Sequence, residues 1–244
     1  MKDNKVLNYI KEIIKNHPSD WLGLTTHRLD IYNEKLAKTQ FLDQLETLYS
    51  TNNATTGALA VLPTAYDYIR LGHPLSSVLE WGIAHIHGLD ADNVISFSSK
   101  TIPVLAVLRK NLLENRNTQI NYTGELPSIF NEELLKEVYG YHFQLQKVND
   151  PSDIERFNGS TIFISEHDEI NTLDINSNID FAISLHGTLG SILVINSSLE
   201  NSYISDIQHV RRRETIAMTP SNSLVALKSI VDQKTIILPD NNVV

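Results

Sequence analysis

From Asn93 onward, short apolar runs alternate with longer amphipathic ones, and no other property of this 244-residue chain narrows its fold so far. The runs "NVISFS", "TQINY", "HFQLQKV", "TIFIS", "DFAIS" and "SILVIN" have the length and the β-branched content of strands. Between and after them, Thr101 to Leu113, Pro127 to Tyr139, Leu199 to Glu214 and Pro220 to Val231 read as helices, and "PSDIERF" as a short one. Pro103 is tolerated in a first helical turn, and Gly140 ends the second of these helices. Strands that alternate with helices predict an α/β fold, a mostly parallel sheet covered on both faces.

The first ninety residues read differently. Val6, Ile10, Ile13 and Ile14 recur at helical spacing and predict an amphipathic helix of the kind that serves as a docking arm. Residues 17–37 look irregular, and Phe41, Leu42, Leu45 and Leu48 mark a second helix. Ser50 to Pro74 is rich in Asn, Thr, Gly and Pro and predicts an extended loop. Leu75 to His87 predicts a helix, with Gly88 just past its end.

Composition removes several function classes. A net charge of −9 opposes a nucleic-acid binder, because phosphate backbones need a basic face, and the one basic run, Arg211-Arg212-Arg213, reads as a solvated helix face. With no cysteine, thiolate metal sites, disulfides and cysteine nucleophiles are excluded. The start, "MKDNKVLNYIKEIIKNH", lacks the apolar centre of a signal peptide, and no run reaches a membrane span, so a soluble, cytoplasmic protein is expected.

Three stretches carry possible chemistry. "YDYIRLGHPLSSVLE" sets Tyr68 and Arg70 just before a rigid turn, either as a solvated turn or as two donors aimed at an anion such as phosphate. "SFSSKTIP" joins a strand end to a helix start through Ser98, Ser99 and Lys100. That is either a plain cap with a solvated lysine or an anion site made of helix N–H groups, hydroxyls and an ammonium. "HIHGLDAD" offers His85, His87, Asp90 and Asp92, but residues two apart on a helix point to different sides, so a structural turn is expected there and no metal.

Tyr68-Ile69-Arg70, Gly72-His73-Pro74 and Leu79-Glu80 together resemble the "Y-x-R-x-G-N-P-T…L-E" signature of the pyridoxal-phosphate enzymes of cysteine and methionine metabolism. This is the group of the cystathionine γ-synthases, cystathionine lyases and methionine γ-lyases. The stretches "TTGALAVLPTAYDY", "LEWGIAHIHGLDADNVISFSSKTIPVLAVL", "INYTGELPSIF", "VNDPSDIERF" and "TIFISEHDEINTLDI" are similar, in the same order, to successive segments of that family. The resemblance runs from about Thr55 to Ile230. It implies a helical extension over residues 1–54 and a truncated large domain over 55–244, without the family's smaller C-terminal domain. It also implies roles: Tyr68 and Arg70 reach the cofactor phosphate of a neighbouring subunit, Ser98, Ser99 and Lys100 form the turn that grips it in their own subunit, and Tyr122 stacks on the cofactor ring. Lys100 departs from the family's glycine.

The family pattern breaks where its chemistry resides. The stretch similar to the cofactor-lysine segment, "NIDFAISLHGTLGSILVIN", holds His186 and no lysine, and the chain has none between Lys147 and Lys228. The helix and strand that would carry the pyridinium-binding aspartate have no room in "TLDINSNIDFAIS". Three readings follow. In the first, the chain is a non-catalytic subunit paired with a full-length, lysine-bearing relative or with itself, pyridoxal phosphate being held mainly by the partner and never as an internal imine of this chain. In the second, it is a lyase or transferase with altered chemistry that uses His186 or Lys100. In the third, it is a cofactor-free binding module. His186 is a candidate general base, or a buried histidine that satisfies a backbone group.

Overall fold

The computed structural model describes residues 2–23, 34–63, 70, 72–196 and 202–232. Its helices are α1 (Lys2–Asn16), α2 (Glu34–Ser50), α3 (Thr56–Ala60), α4 (Pro74–His87), α5 (Ile102–Leu113), α6 (Glu132–Glu137), α7 (Ser202–Glu214) and α8 (Pro220–Asp232). Its strands are β1 (Val94–Phe97), β2 (Thr118–Tyr122), β3 (Phe143–Lys147), β4 (Ser160–Glu166), β5 (Phe181–His186) and β6 (Gly190–Ile195). They form one six-stranded sheet in the order β1-β6-β5-β4-β2-β3. β2–β3, β2–β4 and β4–β5 pair in parallel, while β6 runs against both β1 and β5. The expected α/β fold, a mostly parallel sheet between helices, is therefore the one observed.

Alternation along each strand sends side chains to two cores. Phe181, Ile183 and Leu185 of β5 join Ile120, Ile162 and Ile164 under α5, α6 and α7. Ala182, Phe163, Ile192 and Val194 join Leu79, Trp81, Ile83, Leu227 and Ile230 on the other face, under α4 and α8. That second core also takes in Val6, Tyr9, Ile10 and Ile13 of α1, each at most 2% exposed. The N-terminal helix, expected as a docking arm, is thus a core element of this chain: its stripe fills the groove between α4 and α8. Trp81 lies edge-on to Tyr9 and Tyr49, which ties α1 and α2 to α4.

The ends of α4 follow from its sequence. His73 caps its first turn, Pro74 opens it, and Gly88 closes it at φ +68°, in the left-handed region that other residues adopt at a cost. β4 and β5 are parallel neighbours, yet residues 167–180 join them without a helix. Ile170, Leu173, Ile175 and Ile179 of this segment cover the sheet where a crossover helix would otherwise lie. No strand stands between β4 and β5, as the shortness of "TLDINSNIDFAIS" predicts.

Two expected helices are shorter. α6 begins at Glu132 because Asn131, and not Pro127, caps it, its Oδ1 accepting the Leu134 N–H at 2.8 Å. "PSDIERF" keeps only a single turn, Pro151–Asp153. Within the expected loop from Ser50 to Pro74, Thr55 caps the short helix α3.

Candidate functional site

Ligands of open α/β sheets bind beyond the carboxyl ends of the strands. Here that edge gathers Ser98–Lys100 after β1, Tyr122 at the end of β2, Glu166 and His167 at the end of β4, and His186 at the end of β5. Gly190, the first residue of the antiparallel β6, lies at the same edge. A Cβ there would stand 2.0 Å from the Phe97 carbonyl oxygen, so only glycine lets β6 pass β1 so closely.

The groups of the Ser98 turn are engaged within the chain. The Ser98 N–H donates to the Ile216 carbonyl at 3.1 Å, and its Oγ lies 3.3 Å from the same oxygen and 3.2 Å from Thr215 Oγ1. Ser99 Oγ accepts the N–H groups of Thr101 and Ile102, both at 3.2 Å. The Ser99 carbonyl accepts the Ser191 hydroxyl at 2.6 Å. The Lys100 ammonium stands 3.5 Å from Glu166 Oε1. Ser99 thus ties down the turn that leads into α5, whose cap position, Thr101, makes no side-chain cap bond, and the lysine faces a carboxylate.

His186 is 2% exposed. Its Nδ1–H donates to the His167 carbonyl at 3.0 Å, which fixes the tautomer and leaves Nε2 as a buried acceptor with no hydrogen-bond partner. Burial pushes its pKa down to about 4, with the nearby His167 and Lys100 acting in the same direction against the pull of the carbonyl. The ring is neutral at pH 7.

Sequence reasoning passed over the neighbouring His167. Its Nε2 lies 2.8 Å from Ser165 Oγ and 2.7 Å from Asp174 Oδ2. These residue types suggest a nucleophilic triad, but a triad bonds serine and carboxylate to opposite ring nitrogens. Here both meet the same one, whose single proton faces the carboxylate, so nothing is arranged to take the Ser165 proton.

Tyr122 is half-buried, with the Lys147 ammonium 6.0 Å from its ring centroid and that ammonium 2.7 Å from Glu125. Arg70 is exposed in a turn, and Tyr68 lies outside the described residues. The residues of "HIHGLDAD" serve structure: His85 pairs with Glu46, which also accepts the Trp81 indole N–H at 2.6 Å, and His87 donates to the Asn171 carbonyl at 2.7 Å. Among the described residues no group of three histidines or carboxylates could hold a metal ion, and no helix is long and apolar enough to cross a membrane.

A second cluster missed in sequence lies under β1. Glu80 is 1% exposed and accepts the Ser96 N–H and hydroxyl, both at 2.8 Å, and Arg211 at 2.9 Å, while Lys38 stands 2.9 Å from its other oxygen. Burial alone would raise its pKa, but Lys38, Arg211 and Ser96 overturn that and hold it at about 2. Arg211, expected on a solvated face, is 1% exposed. The readable signal was its spacing, since it follows Ile207 by four residues on the buried stripe of α7.

No family profile matches the chain, and no curated protein is similar to it in sequence. Solved structures are similar in fold. Cystathionine γ-synthase from Xanthomonas oryzae pv. oryzae, in complex with cystathionine, superposes with a TM-score of 0.53 at 10% identity over 96% of this chain. MetB from Corynebacterium glutamicum does so with a TM-score of 0.50 at 12% identity over 92% of it. The chain spans 64% of the length of each. At such identities the likeness is one of fold. It places the six-stranded sheet beside those of the group whose motifs the sequence resembles.

The motif resemblance implies pyridoxal phosphate, and the carboxyl edge does not fit it as a covalently held group. The lysines that end on this edge among the described residues, Lys100 and Lys147, are each engaged by a glutamate. The stretch expected to carry the cofactor lysine presents His186, whose imidazole has no primary amine. The donors that would grip a phosphate at Ser98 are taken by Ile216.

Proposed function

We propose that the chain is a non-catalytic partner subunit of a full-length, lysine-bearing relative, and that it lends Tyr68 and Arg70 to the phosphate of pyridoxal phosphate held in that relative's site. The groups that would hold a cofactor in the chain's own subunit are bonded internally, and this supports a role in a neighbour's site over one in its own. The collinear motifs and the shared fold supply the family context, with residues 55–244 as the large-domain framework and 1–54 as its extension.

The test is co-expression with a full-length relative, followed by size-exclusion chromatography and titration of the complex with pyridoxal phosphate. Arg70→Ala is expected to leave the chain folded and to weaken cofactor retention in the complex by about ten- to a hundredfold, the worth of one charge-assisted contact to phosphate. A chain that forms no complex, or a complex indifferent to Arg70→Ala, refutes the proposal. The buried, unpartnered Nε2 of His186 favours a second reading, altered chemistry at this chain's own edge, with Lys100 as the available amine.

A further inference from the structure

A cleft of about 600 Å³ lies at the end of the sheet opposite the carboxyl edge, where the chain enters β2, β3 and β4 beside α6. That is the size of a pocket for a small organic molecule. Tyr141, Phe143 and Phe157 give it aromatic walls. Tyr141 stacks on Tyr139, and Phe143 meets Phe130 edge-on. Phe157 is half-buried and, among the described residues, meets no other ring. The walls are fixed by the backbone behind them. The Ser160 N–H donates to the Asn117 carbonyl at 2.8 Å, and Arg116 Nη2 donates to the Gly159 carbonyl at 2.9 Å. A Cβ at residue 159 would stand 2.5 Å from the Asn117 oxygen and 2.6 Å from the Phe157 ring, so glycine is required for the two to come together.

The polar groups of the cleft are unspent. Asn117, His142, Gln144 and Asn158 line it, and among the described residues none of these four side chains makes a hydrogen bond. Amides close by are committed: Asn111 Nδ2 donates to Thr118 Oγ1 at 2.8 Å, and Gln119 Nε2 to Gln146 Oε1 at 3.0 Å. Lys136 is the one lysine or arginine lining the cleft among the described residues. Its ammonium is bound to Glu132 at 2.7 Å and lies 4.9 Å from the Phe143 ring centroid.

Aromatic walls take a flat ring by its faces. Side-chain amides match the paired donors and acceptors on the edge of a heterocycle, as Asn and Gln do with adenine. An ammonium already neutralised by a glutamate offers little to a phosphate, and the net charge of −9 opposes a nucleic-acid strand. We infer that this cleft is a binding site for a purine-type heterocycle carried on a neutral molecule, a nucleoside and not a nucleotide. The ring stacks on Phe157, and the amides of Asn117, Gln144 and Asn158 read its edge.

The test is titration of the full chain with adenosine, read by saturation-transfer NMR. Adenosine is expected to receive saturation from the protein. Phe157→Ala should weaken its binding about tenfold, the worth of one base stacked on an aromatic ring. Gln144→Leu, at an exposed position, should weaken it about fivefold, and Lys100→Ala, at the carboxyl edge, by less than about twofold. AMP should bind about threefold more weakly than adenosine, because its phosphate finds no free cation. No transfer at millimolar adenosine overturns the inference, as does an affinity indifferent to both cleft variants or equally reduced by Lys100→Ala. AMP binding more tightly than adenosine overturns it too, since the site would then be one for an anion. Should Phe157→Ala not fold, Asn158→Leu, also at an exposed position, takes its place, with about a fivefold loss expected and the same refuting outcomes. None of these outcomes bears on the lending reading, which uses none of these residues.

Discussion

Glu80→Gln changes one oxygen to an amide in a site sealed from water, and its cost can be reached from two directions. Lys38 and Arg211, 3% and 1% exposed, would lose the carboxylate they share. Removing one partner of a buried ion pair costs roughly 3–5 kcal/mol. Alternatively, the folded state lowers the Glu80 pKa from an ordinary 4.5 to about 2. At 1.36 kcal/mol per unit, that corresponds to roughly 3 kcal/mol. Urea unfolding at pH 7 should therefore show the variant less stable by about 3–4 kcal/mol. Because the folded pKa is depressed, this stabilisation is complete above pH 4.5 and fades as pH falls towards 2. The gap between wild type and variant should stay constant from pH 7 to 5 and close below 4.5. A loss under about 1 kcal/mol, or a gap that ignores pH, would refute the assignment of the cluster as a charge-paired unit. Replacing Lys38, Glu80 and Arg211 together by methionine should cost less than Glu80→Gln alone, since no charge is then stranded.

Two further outcomes test other parts of the structure. Ile13→Ala should cost roughly 2–5 kcal/mol in urea unfolding, because Ile13 is fully buried in the core that α1 shares with α4 and α8; a change within about 0.5 kcal/mol would return α1 to the status of an arm. Borohydride reduction of the isolated chain with pyridoxal phosphate should give no single dominant lysine adduct by mass spectrometry, and a dominant adduct on Lys100 would put the altered-chemistry reading first.

β1, β4, β5 and β6 were legible as short apolar runs buried along nearly their whole length, and β2 and β3, at the other side of the sheet, as shorter runs interrupted by polar residues. The ends of α4 were legible from Pro74 and Gly88. The tertiary partners were not. Val6, Tyr9, Ile10 and Ile13 look the same in sequence whether they meet another protein or this chain's own α4. Arg211 looks solvated within three consecutive arginines until Glu80, 131 residues away, is brought beneath it. At the candidate site the residues of the Ser98 turn were named correctly as a strand-to-helix junction. What no local pattern announces is that the Ile216 carbonyl occupies its donors, or that His167 takes Asp174 on the nitrogen it also offers to Ser165.

The position of β1 has a consequence for how the protein is made. Among the described residues β1 stands at the edge of the sheet and pairs with β6, Val94 opposite Val194. A ribosome that adds ~5–20 residues per second needs about 5–20 seconds to bring that partner into being. Over the same interval Glu80, which Lys38 can already meet, waits for Arg211. The newborn chain thus carries an unpaired "VISF" edge and a half-compensated carboxylate side by side. The first closes only as β6 emerges, and the second only when α7 follows it.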